Sequence, residues 1–212
     1  MKKFKALLVV ACALLLVAAS VFGTMAYLTS TDTVTNTFTV GKVNIKLDEA
    51  KANPDGSLVE GADRVKANSY KLLPGHTYHK DPMVTVLSGS ESSYVKMTVT
   101  FSKANELDAI FAPNGANLTS IFNGYDAANW IAKGNTKDAA ANTRTYEFWY
   151  KEAVGAPEGN VALDALFDSI TVPGAITKEQ LATIEGMTIT VNAYAIQADG
   201  FANAEAAWEA IK

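Results

Sequence analysis

His76 and His79 are the only two histidines of the chain, and they lie in His-Thr-Tyr-His with Asp81 close behind. Imidazoles at i and i+3 can ligate zinc when a helix holds them on one face. Here Pro74-Gly75 precedes them and Asp81-Pro82 follows, which disfavours a helix. On a strand, i and i+3 point to opposite faces. The sequence holds no His-Glu-x-x-His, which would put two ligands and a base on one helical face. His76 and His79 are therefore expected to be solvent-exposed loop histidines, with a zinc site as the alternative.

Asp48, Glu49, Asp55 and Asp63 offer the oxygen donors that calcium takes, but their spacing fits no EF-hand loop. A solvated acidic loop is expected there. Tyr94, Tyr146, Trp149 and Tyr150 could line a carbohydrate site, although aromatic residues on strands more often fill cores or pair across strands. No Gly-x-Ser-x-Gly elbow, phosphate-binding loop or paired-carboxylate motif stands out. No catalytic residue, metal or cofactor is assigned, and the chain is not expected to be an enzyme.

Cys12 is the single cysteine and follows Val9-Val10-Ala11, formally a lipobox. Lipidation there would leave residues 13–19, a purely apolar run, where a lipoprotein continues into a polar tether. Cys12 reads instead as a small apolar residue of an export leader. Lys2, Lys3 and Lys5 form a basic start, and residues 7–21 are almost wholly apolar. Thr24 and Ala26 then supply small residues at the −3 and −1 positions of a signal-peptidase site, so residues 1–26 read as a signal peptide and the mature chain begins at Tyr27. The alternative is an uncleaved anchor, the only membrane contact foreseen. The apolar run is short of the roughly 20 residues that span a bilayer.

Cleavage after Ala26 leaves residues 27–212, long enough for one domain with a proper core. The leader carries three lysines and no acid, so the mature chain holds 15 basic against 22 acidic residues, a net charge of −7. Such a surface argues against nucleic acid or anionic lipid as a partner. Without Cys12 no thiol chemistry is available, and the domain must be held by its core and its hydrogen bonds.

The elements follow from periodicity. Val34, Asn36, Phe38 and Val40 alternate with Thr33, Thr35, Thr37 and Thr39, a β-branched strand with one half-buried face. Val43, Ile45 and Leu47 form a second strand after Gly41. Residues 50–64 read as an exposed loop around Asn53-Pro54-Asp55-Gly56. Pro74-Gly75 suits a type II turn, and Pro82 leads into a strand over residues 83–87. Val95, Met97, Val99 and Phe101 make residues 94–102 the clearest strand. Residues 105–112 and 117–122 read as short helical turns, and residues 123–142 as loops around Trp130-Ile131. Tyr146, Phe148 and Tyr150 share a face of a strand over residues 143–151, followed by a loop at 154–160. Residues 163–172 fit helix or strand, with Phe167, Ile170 and Val172 toward the core. Thr177 caps a short helix running to Ile184. Residues 187–198 form the last strand, with Met187, Ile189, Val191, Ala193 and Ala195 on one face. Asn203 caps a terminal helix with Ala204, Ala207, Trp208 and Ile211 on one stripe. Short alternating strands without long intervening helices predict an all-β, antiparallel β-sandwich with small peripheral helices.

Gly23-Thr24-Met25-Ala26-Tyr27-Leu28-Thr29, with Asn36-Thr37-Phe38-Thr39-Val40-Gly41, resembles the leader and first strand of the TasA and camelysin (CalY) family. Residues 71–86, with Leu73-Pro74-Gly75 and Lys80-Asp81-Pro82, are similar to a segment of clostridial members, as are residues 193–201 and Ala206-Ala207-Trp208. The resemblance implies export from a Gram-positive bacterium through a SipW-type signal peptidase. It also implies a jelly-roll sandwich and a structural role in the biofilm matrix or at the cell surface. Subunits of such fibres join when the N-terminal strand of one completes the sheet of the next, and the resemblance implies other matrix or surface components as further partners. Leu28, Val34, Phe38 and Val40 are the candidate inter-subunit residues, in a segment with no Pro, Lys or Arg to discourage edge pairing. The same segment could instead pair within its own domain. The alternatives for the whole chain are a monomeric adhesin-like module and, third, a camelysin-like metallopeptidase.

Overall fold

Thirteen consecutive residues from Ser90 to Ser102 form the strand around which the domain is built. Its alternation is strict: Val95, Met97 and Val99 are fully buried and Phe101 nearly so, while Tyr94, Lys96, Thr98, Thr100 and Ser102 are half-buried on the other face. Burying each of those four apolar side chains contributes roughly 1.5–3 kcal/mol. The computed structural model describes residues 4–5, 11–14, 41–111 and 122–211, and the chain divides into two units, Met1–Val40 and Gly41–Lys212. In the first unit Phe4, Lys5 and residues 11–14 are helical. Among the described residues no helix is long and apolar enough to cross a membrane.

In the second unit the described strands are β1 (Ile45–Asp48), β2 (Thr77–His79), β3 (Met83–Val86), β4 (Ser90–Ser102), β5 (Phe122–Asn123), β6 (Trp130–Asp138), β7 (Thr143–Tyr150), β8 (Val154–Ala156), β9 (Val161–Ala162), β10 (Ser169–Thr171) and β11 (Ile189–Gln197). Three short helices accompany them: α1 (Ala104–Phe111), α2 (Lys178–Thr183) and α3 (Ala204–Glu209). A five-stranded sheet runs β11-β4-β7-β6, with β8 also paired to β4. Two three-stranded sheets, β1-β3-β9 and β2-β10-β5, complete the fold, and every pairing is antiparallel.

One core joins the three sheets. Val84 and Val86 of β3, Phe122 of β5, and Tyr146 and Phe148 of β7 cluster with the inner residues of β4. Phe122 stacks on Phe167 at 4.2 Å and meets Tyr146 edge-on at 6.1 Å. The architecture is an all-β sandwich, as periodicity predicts.

Local signals explain several joins. Pro74-Gly75 forms the expected turn, closed by His76 N–H on the Leu73 carbonyl at 3.3 Å, with Gly75 at φ 76°. Gly56 is required by space as well: a Cβ there would lie 2.6 Å from the Thr77 carbonyl oxygen. Thr177 caps α2 in a reciprocal box with Gln180. Asn203 caps α3, which buries Ala207 and Trp208 against the sheet.

Some expectations fail. Residues 130–138, expected as loop apart from Trp130-Ile131, form β6, whose side chains beyond Trp130 are all exposed. An edge strand wet on both faces carries no alternation to read. Phe122, expected to end a helical turn, opens β5, and β8 lies in the expected loop at 154–160. Residues 117–121 lie outside the described residues. Ile211 is 59% exposed rather than part of the buried α3 stripe.

Candidate strand-acceptor groove

Antiparallel pairing turns the backbone groups of alternate residues toward the partner and those between them outward. In β11, the Ser102 N–H to Thr188 carbonyl and Ala198 N–H to Ser92 carbonyl bonds fix the phase. The backbone groups of Ile189, Val191, Ala193, Ala195 and Gln197 therefore point out of the sheet edge. Among the described residues no strand pairs with that edge. The side chains of Ile189, Val191, Ala193 and Ala195 face the core but stay only half-buried, unlike their partners on β4. Among the described residues the core is thus open along β11.

The opening is a groove of about 1040 Å³. Its other wall is the end of β1 at Leu47 to Glu49 with residues 66–72, and α2 forms part of the rim. It adjoins a mainly apolar pocket of about 70 Å³ that shares Tyr70, Leu72, Lys80, Met187 and Ile189 with it. A groove between two sheet edges, lined by charged as well as apolar side chains and adjoining an apolar pocket, accepts an extended strand by chemistry that needs no particular side-chain donor.

The two edges are not equivalent. In β1 the outward-facing backbone belongs to Ile45 and Leu47, and the Leu47 carbonyl already accepts from Lys66 Nζ. Just beyond it Glu49 pairs with Val65 in both directions, at 3.0 and 2.8 Å. Among the described residues the edge left unpaired beside the groove is β11.

A buried polar network holds the β1 wall. Asp48 and Glu49 are 4% and 6% exposed. Arg64 donates Nε to Asp48 Oδ1 at 2.6 Å, Nη1 to Asp81 Oδ2 at 2.8 Å and Nη2 to the Asp81 carbonyl at 2.8 Å. Lys46 lies 2.6 Å from Asp48, and Lys80 pairs with Glu49. Burial alone would raise the Asp48 carboxyl, but hydrogen bonds from Lys46 and Arg64 outweigh it and hold it below the usual carboxylate range. Asn68 bonds Glu49 and the Ala50 carbonyl, Tyr70 O–H bonds the His79 carbonyl at 2.6 Å, and Tyr78 O–H bonds the Lys71 carbonyl at 2.7 Å. Burial pushes the Tyr70 and Tyr78 hydroxyls up, keeping them as donors.

These contacts correct two expectations. Asp48 and Glu49 are not part of a solvated acidic loop, whereas Asp55 closes an exposed turn on Ser57. His79 is not a loop residue: it ends β2, is half-buried and lies 3.7 Å from Asp81, while His76 is exposed in the turn. Among the described residues no three His, Cys, Asp or Glu side chains converge as a metal site requires. Tyr146 and Trp149 are buried, and Tyr94 and Tyr150 half-buried. Thr24, Ala26, Tyr27, Leu28, Val34, Phe38 and Val40 lie outside the described residues. The residues that shape the groove, above all β11, Arg64, Lys66 and Tyr70, were not singled out by motif. The signal that could have found β11 is its lack of any charge or proline over Ile189–Gln197.

No family model matches the chain, nor does any curated protein or solved structure.

Proposed function

We propose that the chain is an exported structural subunit of the TasA and camelysin kind. In this reading a SipW-type signal peptidase releases it at Tyr27, and its jelly-roll sandwich assembles into fibres of the extracellular matrix or cell surface of a Gram-positive bacterium. The role is structural rather than catalytic. The β-prone segment at residues 28–40 of one copy adds to the β11 edge of the next, with Val34, Phe38 and Val40 turned into the groove. The single observation that carries this reading is the uncharged β11 edge beside a groove that adjoins an apolar pocket, on a chain whose preceding segment alternates β-branched residues. Strand addition draws affinity from main-chain pairing and register from alternate side chains. The join is head-to-tail and need not close, so it propagates.

Electron microscopy and sedimentation of the purified mature protein test this. Filaments that disappear with Phe38→Asp, in a variant whose circular dichroism is unchanged, are the expected result. Dispersed particles would favour the monomeric adhesin-like module instead. An unfolded Phe38→Asp monomer would return the segment to its own domain.

A further inference from the structure

The outer face of the five-stranded sheet has a composition that the groove does not explain. Its register places Thr190, Thr100, Thr145 and Thr136 in one row across β11, β4, β7 and β6. Ser102 and Thr143 continue the hydroxyl surface in the row below, with Thr188 Oγ1 3.2 Å from Ser102 Oγ. Above lie Asn192 and Thr98, opposite one another. Neighbouring strands are about 4.8 Å apart and same-face residues on one strand about 6.8 Å apart. The result is a lattice of hydroxyl donors and acceptors. By contrast, β1 turns Lys46 outward.

Charges on this face are already engaged. Lys96 lies over the Tyr194 and Trp208 rings at 5.5 and 4.5 Å. Lys133 lies 4.1 Å above Trp149 and 2.9 Å from Glu205. Glu147 accepts from Trp149 Nε1 at 2.5 Å, and Asp138 accepts from the Ala140 and Ala141 N–H groups. The cations of this surface are packed on rings or beside Glu205 and its carboxylates accept N–H groups, so they stand singly and form no patch of one sign for a charged partner. Nor has the face the apolar centre that a protein interface needs. Its exposed ring, Tyr194 at 45%, stands at one end of the face. There α3 bounds the face, and the buried Trp208 Nε1 has no acceptor among the described residues.

We propose that this face binds a neutral polysaccharide. Sugar hydroxyls would exchange hydrogen bonds with the Thr rows, and Tyr194 would stack on the apolar face of a ring. Each contact is weak in water, so an extended chain engaging several rows is required. The site uses outward side chains and no residue of the segment at 28–40, although Thr190 also stands at the groove on β11.

The test is affinity electrophoresis of the full mature protein in native gels containing hydroxyethyl cellulose, xylan or mannan, with alginate as an anionic control. Retardation by at least one neutral polymer, unchanged by 0.5 M salt, is expected. Thr136→Glu with Thr190→Glu, and separately Tyr194→Ala, should each weaken it at least tenfold, whereas Lys51→Glu on a distant loop should not. Circular dichroism checks the fold, and Thr136→Ser with Thr190→Ser, which keeps the hydroxyls, should restore binding if the Glu pair misfolds. No retardation by any neutral polymer would overturn the proposal. So would retardation by alginate alone, or binding indifferent to the Glu pair. A mass change on sedimentation of Thr136→Glu alone, on β6 away from the groove, without polymer would assign the face to a second copy instead.

Discussion

Arg64 holds one wall of the groove, because a single guanidinium satisfies two carboxylates and two carbonyls. Planar, always charged and forked, it does what a lysine could not. Arg64→Met would leave Asp48, 4% exposed, with only Lys46 beside it. Breaking a buried pair this way costs about 3–5 kcal/mol. Urea denaturation should show a loss of that size, and a loss under 1 kcal/mol would mean that the network is not needed for the fold. Asp48 of this network, together with Asp108, which pairs with Lys137 at 2.9 Å and Arg144 at 2.6 Å elsewhere in the fold, sets an acid limb. The Asp48 and Asp108 carboxyls lie below their ordinary value of 3.8 when folded. Their contribution is full above that value and is lost as pH falls through the lower folded one. Stability should therefore hold from pH 7 to about 5 and drop below about pH 4, read as the urea midpoint against pH. None of this was legible in the sequence, since Asp48 and Asp81 lie 16 and 17 residues from Arg64 and nothing local pairs them.

The two edges of the five-stranded sheet are treated in opposite ways. Along β6 the edge carries Lys133, Lys137 and Asp138 and is bent by an irregularity at Gly134, with φ 117°. Charge and a bulge are the usual defences against unwanted pairing. Along β11 there is neither. Proline distinguishes the directions of its N–H groups. Ala193→Pro removes an N–H that points out of the edge, so the monomer should keep its fold while filaments fail. Asn192→Pro removes one that bonds β4 and should destabilise the monomer itself. Circular dichroism and sedimentation on both variants separate these outcomes. Equal damage to the fold in both would show that β11 is no free edge. At the rim, Thr177→Ala breaks the α2 capping box and should cost about 1 kcal/mol in thermal or urea unfolding. Strands buried on one face, such as β4, β7 and β11, were legible because burial imposes a period of two. The groove was not, because an open edge is defined by the strand that fails to pair with it.

At the scale of the whole molecule, donor segment and acceptor edge belong to different parts of the chain, which makes the assembly separable into halves. Under the proposed strand addition, a Phe38→Asp subunit puts a charge in place of the ring meant for the groove, so it should not donate, while its β11 residues are unchanged. An Ala193→Pro subunit should donate but not accept. Either alone should remain monomeric. Mixed in equal amounts, they have one competent junction between them, and that junction leaves no competent ends. The mixture should therefore give dimers and nothing longer, read by sedimentation velocity or by light scattering after size exclusion. Closed symmetric pairing through a shared patch would behave differently, because both partners would then need both features. Monomers only in the mixture would mean that the segment at residues 28–40 pairs within its own subunit. Filaments in the mixture would mean that another surface carries the growth, and strand addition at β11 would have to be abandoned.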